Sequence, residues 1–302
     1  MRLLVVFLLI WISLSYSMQL KKIEKDIYMV RGYDGLPSKE NQGFISNAYG
    51  ILTKEGWVVI DSLSTPKLAR KFINLLKNEK NLPIKYVIIT HYHLDHWYGA
   101  SEFKKDGAKI ISHKNLRDFY KSGMAFEFLE SFKKTFGEIF KNVKLTPPDI
   151  VVNQNKTISI GGKKLNIVSM TPAHTNTDII VYLPDKKFVF VGDLVFYKRI
   201  PFVGDTNASS KGWLEVLEKL KKMDIKKIFA GHNYPLDKKA IDFTYEYISF
   251  LRKEISKLKD EGLFYDEIKQ KLQNTKYKIY PMYREFHNRN IYKIFNELDF
   301  EF

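Results

Sequence analysis

The segment VIITHYHLDHWYGA, Val87 to Ala100, sets three histidines and an aspartate within six positions directly behind an apolar run. The chain has 302 residues and seven histidines, so one short loop holds three of them. The apolar part, YVIIT at 86–90, reads as a buried strand, and the polar cluster as the loop at its C-terminal end. Neutral imidazoles and carboxylates are the donors that hold a divalent cation such as zinc. His91 and His93, two apart on an irregular turn, can point both rings to one side and chelate one ion. Asp95 and His96 follow at once and can serve a second ion or orient the first pair. One loop rarely completes a catalytic site, so further ligands are expected from other strand ends.

The remaining histidines supply them. His174 lies in TPAHTNTD and His232 in AGHNYP, each a turn-rich segment beside an expected strand, and Asp193 closes a strand in VFVGDLVF. Five of the seven histidines therefore fall on strand-end loops, together with a carboxylate at a sixth such position. His113 and His287 stay outside the set and are read as structural.

Composition narrows the rest. At 45% hydrophobic and 27% charged residues, the chain can bury a real core and is neither disordered nor polytopic. With no cysteine there are no disulfides, thiol nucleophiles or thiolate metal sites. The formal charge is +15, yet only eight of the 49 basic residues are arginine and the lysines are spread along the chain. That is a solvated, lysine-rich surface rather than a nucleic-acid footprint, and it leaves open attraction to an anionic small molecule. Residues 1–17, MRLLVVFLLIWISLSYS, have a basic start, an apolar middle and a small-residue end, the layout of a secretory signal peptide. The expectation is export to the periplasm with no stable membrane anchor after cleavage. An uncleaved anchor is the alternative.

Along the chain, strands are expected at 26–33, 44–53 and 57–63, a helix at 65–80 capped by Thr65 with Pro66 in its first turn, and a strand at 108–112. Helical patterning runs from about 115 to 140, strands at 156–160 and 164–170, then a hairpin of 178–183 and 187–193 around PDK. A helix at 209–223 and a strand at 227–231 follow, and three helical segments fill the tail from about Lys238. Strands in runs as well as in strand–helix units predict mixed sheets with helices outside.

Five separated segments carry a family resemblance: VVID ending at Asp61, THYHLDH at 90–96, His174, the GD at Asp193 and the GH at His232. In that order they resemble the metallo-β-lactamase-fold superfamily. The resemblance implies an α/β fold, an αβ/βα sandwich of two mixed β-sheets with flanking helices, here with a C-terminal helical extension. It divides the chain into a signal peptide (1–17), a catalytic domain (18–237) and the extension packed on it (238–302). It also implies two divalent metal ions, zinc with iron or manganese as alternatives. His91, His93 and His174 would bind the first, Asp95, His96 and His232 the second, and Asp193 both, with Asp61 orienting the histidine loop. A hydroxide shared by the ions would attack an ester, thioester, lactam or similar bond, with Asp95 and Asp193 the catalytic carboxylates. The region from AHTNTD to the tail is similar to the secreted, SoxH-like zinc metallohydrolases that accompany sulfur-oxidation and quinoprotein systems. Alternatives are a glyoxalase II-like hydroxyacylglutathione hydrolase, a β-lactamase, or a non-catalytic metal-binding protein. Arg199, Asn233 and Tyr234, close to the implied ligands in sequence, are candidates for binding a small, possibly anionic substrate.

Overall fold

The computed structural model describes residues 18–300; the signal-peptide expectation lies outside these residues. Two meandering strand pairs open the fold: β1 (Leu20–Glu24), β2 (Ile27–Val30), β3 (Ala48–Thr53) and β4 (Gly56–Ile60), all antiparallel. Helix α1 (Pro66–Glu79) starts as its sequence predicts. Thr65 Oγ1 accepts from Leu68 N, and Pro66 occupies the first turn, where no backbone donor is needed. The chain then adds β5 (Ile84–Ile88), α2 (Leu94–Trp97), α3 (Ala100–Lys105), β6 (Lys109–His113), α4 (Lys114–Lys121), α5 (Met124–Phe136) and β7 (Ile150–Val152). Strands β4 to β7 are parallel, which completes a seven-stranded mixed sheet in the order β1-β2-β3-β4-β5-β6-β7.

The second sheet is built from β8 (Asn155–Ile160), β9 (Lys163–Ser169), β10 (Ile179–Leu183), β11 (Phe188–Gly192) and, after α6 (Ser210–Lys222), β12 (Lys227–Ala230). Its order is β12-β11-β10-β9-β8, with only the β11–β12 pair parallel. The tail forms α7 (Ala240–Asp260), α8 (Tyr265–Lys271) and α9 (Tyr283–Asp299).

Alternation along single strands shows how the layers stack. In β4, Val58 and Ile60 face the second sheet while Trp57 and Val59 face α1. In β11, Phe188 and Phe190 face the first sheet, while Val189 and Val191 pack with Leu217 of α6 and Tyr247 and Leu251 of α7. Through such central strands each sheet buries one face against the other sheet and one under helices, in an αβ/βα sandwich, while the edge strand β8 stays largely exposed. The tail helices do not hang off this sandwich; they form most of its fourth layer. Full burial of each such large apolar side chain contributes roughly 1.5–3 kcal/mol.

Three differences from the sequence expectation have local causes. The helical run at 115–140 breaks at Gly123, whose φ of 86° cannot continue a right-handed helix. Strands β1 and β7 are not legible in the pattern: β7 spans only three residues, and β1, short and at a sheet edge, carries Lys21, Lys22 and Glu24. The short helices α2 and α3 are likewise hidden, one lying inside the histidine loop itself.

Candidate metal centre

The two sheets bring the singled-out loops to one rim. Asp61 follows β4, the histidine loop follows β5, His174 follows β9, Asp193 follows β11 and His232 follows β12. Their donor atoms converge in three overlapping groups: His91, His93 and His174; His91, His96 and Asp193; Asp95, His96 and His232. Within each group the atoms lie within 4.8 Å of one another. Asp193 stands between the outer two. Its Oδ2 is 3.0 Å from His232 Nε2 and 3.7 Å from His174 Nε2, and its Oδ1 is 3.3 Å from His96 Nε2. Asp95 Oδ2 lies 3.4 Å from both His96 Nε2 and His232 Nε2.

Every imidazole has one nitrogen committed outward. His91 Nδ1 meets Thr90 Oγ1 at 3.1 Å, His96 Nδ1 meets Asp61 Oδ2 at 2.8 Å, and His93 Nε2 meets Asp205 Oδ2 at 2.9 Å. His174 Nδ1 lies 3.0 Å from the Phe202 carbonyl and His232 Nδ1 2.9 Å from the Ile45 carbonyl. The other nitrogen of each ring faces the shared centre. There His91 Nε2, His96 Nε2 and Asp193 Oδ1 are buried without any hydrogen-bond partner. Buried polar atoms are normally satisfied, so three orphans at one point are the signature of a place built for a cation.

The electrostatics agree. Burial, and then the neighbouring rings, hold His91 well below the usual histidine pKa; burial followed by His93 brings His174 down to about 3. Both are therefore neutral, the form that ligates a metal. Burial would raise Asp95, but His96 and His232 beside it bring it down to about 2. Burial likewise opposes charge on His96, yet Asp95, Asp193 and Asp61 around it push its pKa well up. Three carboxylates about one ring call for positive charge at that point, and a divalent cation supplies it. The residues fit a metal.

Backbone geometry leaves little tolerance. A Cβ on Gly231 would lie 2.1 Å from Asp193 Oδ1 and 2.7 Å from His96 Cε1, and one on Gly192 would lie 2.6 Å from Thr90 Oγ1. Asp61, at φ 62°, turns back so that Oδ1 accepts from Thr90 N at 2.8 Å. Asn47 clasps the last loop: its Nδ2 donates to the Ala230 and Asn233 carbonyls, and its N–H to Gly231 O at 2.7 Å.

The candidates for substrate contact fare differently. Arg199 is buried, lines the cavity over the cluster, and sets Nη1 3.0 Å from Asp34 Oδ1. Asn233 and Tyr234 are not brought to that cavity. The Asn233 amide is occupied by Tyr197 N and O, and Tyr234 is 53% exposed, with the Arg31 guanidinium 4.5 Å over its ring. His113 and His287 lie away from the cluster; His113 Nδ1 accepts from Asn115 N at the start of α4. Asp205 escaped the sequence reading although it ends RIPFVGD, a turn-rich run just beyond Asp193. An acidic residue there was the available signal. The Ile45 and Phe202 carbonyls had none, since a backbone acceptor is invisible in sequence.

The profile of the Metallo-beta-lactamase superfamily matches residues 41–232, which takes in every residue of the cluster. The 2,4-dinitroanisole O-demethylase subunit alpha of Nocardioides sp. is 21% identical over 63% of this chain and 53% of its own length, so the match spans about half of that relative. The Metallo-beta-lactamase type 2 of Elizabethkingia meningoseptica is 23% identical over 77% of this chain and 86% of that one. Among solved structures, a stereoselective inverting sec-alkylsulfatase from Pseudomonas sp. superposes with a TM-score of 0.72 at 18% identity, covering 93% of this chain and 50% of that one. With its two-sheet sandwich and a histidine–aspartate cluster at one rim, this chain belongs to the metallo-β-lactamase superfamily.

Proposed function

We propose that this chain is a dinuclear metal-dependent hydrolase, with zinc as the resident ion, acting on an ester, thioester, lactam or similar bond of a small molecule. One observation carries the reading: five imidazoles, each anchored outward through one nitrogen, present the other to a centre shared with Asp95 and Asp193. His91, His93 and His174 would hold one ion and Asp95, His96 and His232 the other, with Asp193 reaching both groups. When bound, the ions supply Lewis acidity and make water acidic enough to attack near neutral pH.

The chain's own residues do the rest. Asp61, Asp205 and the two carbonyls fix ring orientation, so the donors need little reorganisation on binding. Asp95, which lines the cavity beside the second ligand group, helps to orient the attacking water. Arg199 ties the loop at Asp34 over the site, and aromatic rings line the cavity around the cluster. The signal-like layout of residues 1–17 supports export to the periplasm. Among the described residues no helix is long and apolar enough to cross a membrane.

Metal analysis of the purified protein, followed by a panel of thioesters, lactones, β-lactams and sulfate esters with and without chelator, tests the proposal. Two equivalents of zinc and chelator-sensitive turnover are expected. Full metal content and turnover in His91→Ala or Asp193→Ala would refute the assignment. Turnover of S-D-lactoylglutathione would select the glyoxalase II-like branch, and turnover of penicillins the lactamase branch.

A further inference from the structure

The cavity over the cluster holds about 520 Å³, the size of a small-molecule site. Two aromatic walls lead out of it. One begins at Tyr92, stacked on Phe119 with centroids 4.7 Å apart; Phe119 meets Phe128 edge-on at 5.4 Å, and α5 extends the wall through Phe132 and Phe136. The other begins at Phe202, whose ring is 6.2 Å from that of His93, and passes to Phe286 of α9 at 5.0 Å. One helical turn further on, Arg289 lines the same cavity. Arg289 is exposed and has no ion pair or hydrogen bond among the described residues. Arg199, by contrast, is already held by Asp34.

Within the hydrolase reading above, we infer that the site takes an amphiphilic organic anion: an alkyl or aryl body lies between the two aromatic walls with its scissile bond at the cluster, and an acidic group at its far end is held by Arg289. Placing the body between rings removes apolar surface from water and adds ring contacts. The guanidinium offers forked donors matched to a carboxylate, sulfonate or sulfate. A peptide-like ligand would set its amide groups against rings that cannot satisfy them, so it fits these walls less well. Helix α9 is thereby part of the binding site, contributing both Phe286 and Arg289.

Unreactive probes test this by calorimetry on the full, metal-loaded chain: 1-octanesulfonate, 1-octanol and methanesulfonate. Octanesulfonate should bind at least about tenfold more tightly than either partial analogue, the scale of a charge-assisted contact. Arg289→Met should reduce octanesulfonate to the affinity of octanol and leave octanol unchanged, with Arg289→Lys intermediate. Phe132→Ser should weaken octanesulfonate and octanol alike and spare methanesulfonate. Arg289 is exposed, so its variants should fold, and a loss confined to the anion separates binding from unfolding. The proposal is overturned by equal affinity of the wild type for octanol and octanesulfonate, by an unchanged Arg289→Met, or by tighter binding of S-hexylglutathione that ignores Arg289. No probe is hydrolysed, so failure of the turnover panel alone would count against the hydrolase reading and leave the ligand class standing.

Discussion

Asp205 Oδ2 accepts from His93 Nε2 at 2.9 Å, which leaves His93 Nδ1 as the atom facing the cluster, 3.0 Å from His174 Nε2. The other four rings present Nε2. Asp205 also accepts from the Tyr92 hydroxyl and from Asn207 N, so its carboxylate is itself locked. Asp205→Asn keeps the shape but no longer enforces that tautomer. Metal affinity, measured by competition with a chelator, should fall roughly 10–100-fold while the fold persists. Wild-type affinity in this variant would show that His93 needs no such partner.

Gly231→Ala is the sharpest steric test. The added methyl would lie 2.1 Å from Asp193 Oδ1, so either Asp193 or the loop carrying His232 must move. Overpacking of this kind costs about 1–3 kcal/mol. We expect a lower Tm together with less than full metal occupancy; a fully loaded variant would mean that the loop yields without disturbing the donors.

Removing metal should destabilise the protein. Asp61, Asp95 and Asp193 are buried round His96, and a cation offsets their mutual repulsion. A ligand that binds only the folded chain stabilises it by about 2.7 kcal/mol at a hundredfold excess over Kd. Chelation should therefore lower Tm, and zinc should restore it. His91→Ala should lose most of that restoration. A Tm indifferent to chelator would argue that the cluster holds no ion.

His287 gives a pH-dependent term away from the cluster. Its ring stacks on Tyr283 at 4.0 Å, with Nδ1 2.9 Å from the Tyr247 hydroxyl and Nε2 2.9 Å from the Leu272 carbonyl. Burial lowers its pKa below 6.5, outweighing the Leu272 hydrogen bond. The unfolded chain therefore binds a proton near pH 6.5 that the folded chain refuses, and stability falls as pH drops through that value. The slope for one group is at most about 1.4 kcal/mol per pH unit. In urea titrations from pH 7 to 5, His287→Gln should start less stable but lose stability less steeply than the wild type. Parallel curves would contradict the assignment.

The donor residues were legible in sequence because chemistry restricts them: a chain without cysteine must ligate through histidine and carboxylate, and these sat at strand ends. Strand alternation and caps such as Thr65 likewise announced the two mixed sheets, since period-2 burial and end-capping are local properties. What tertiary structure decided was everything that depends on approach between distant segments. Asp205 becomes the partner of His93 only when the loop after β11 folds back 112 residues in sequence. Two backbone carbonyls, Ile45 and Phe202, acquire roles that no side chain could advertise. Asn233 and Tyr234 adjoin His232 in sequence, but the turn after that histidine carries them away from the cavity, Asn233 to Tyr197 and Tyr234 to the surface. Phe286 and Arg289, far along the tail, arrive there instead because α9 packs in the layer over the second sheet. Ligand type is written in single residues; the shape of the cavity exists only where elements meet.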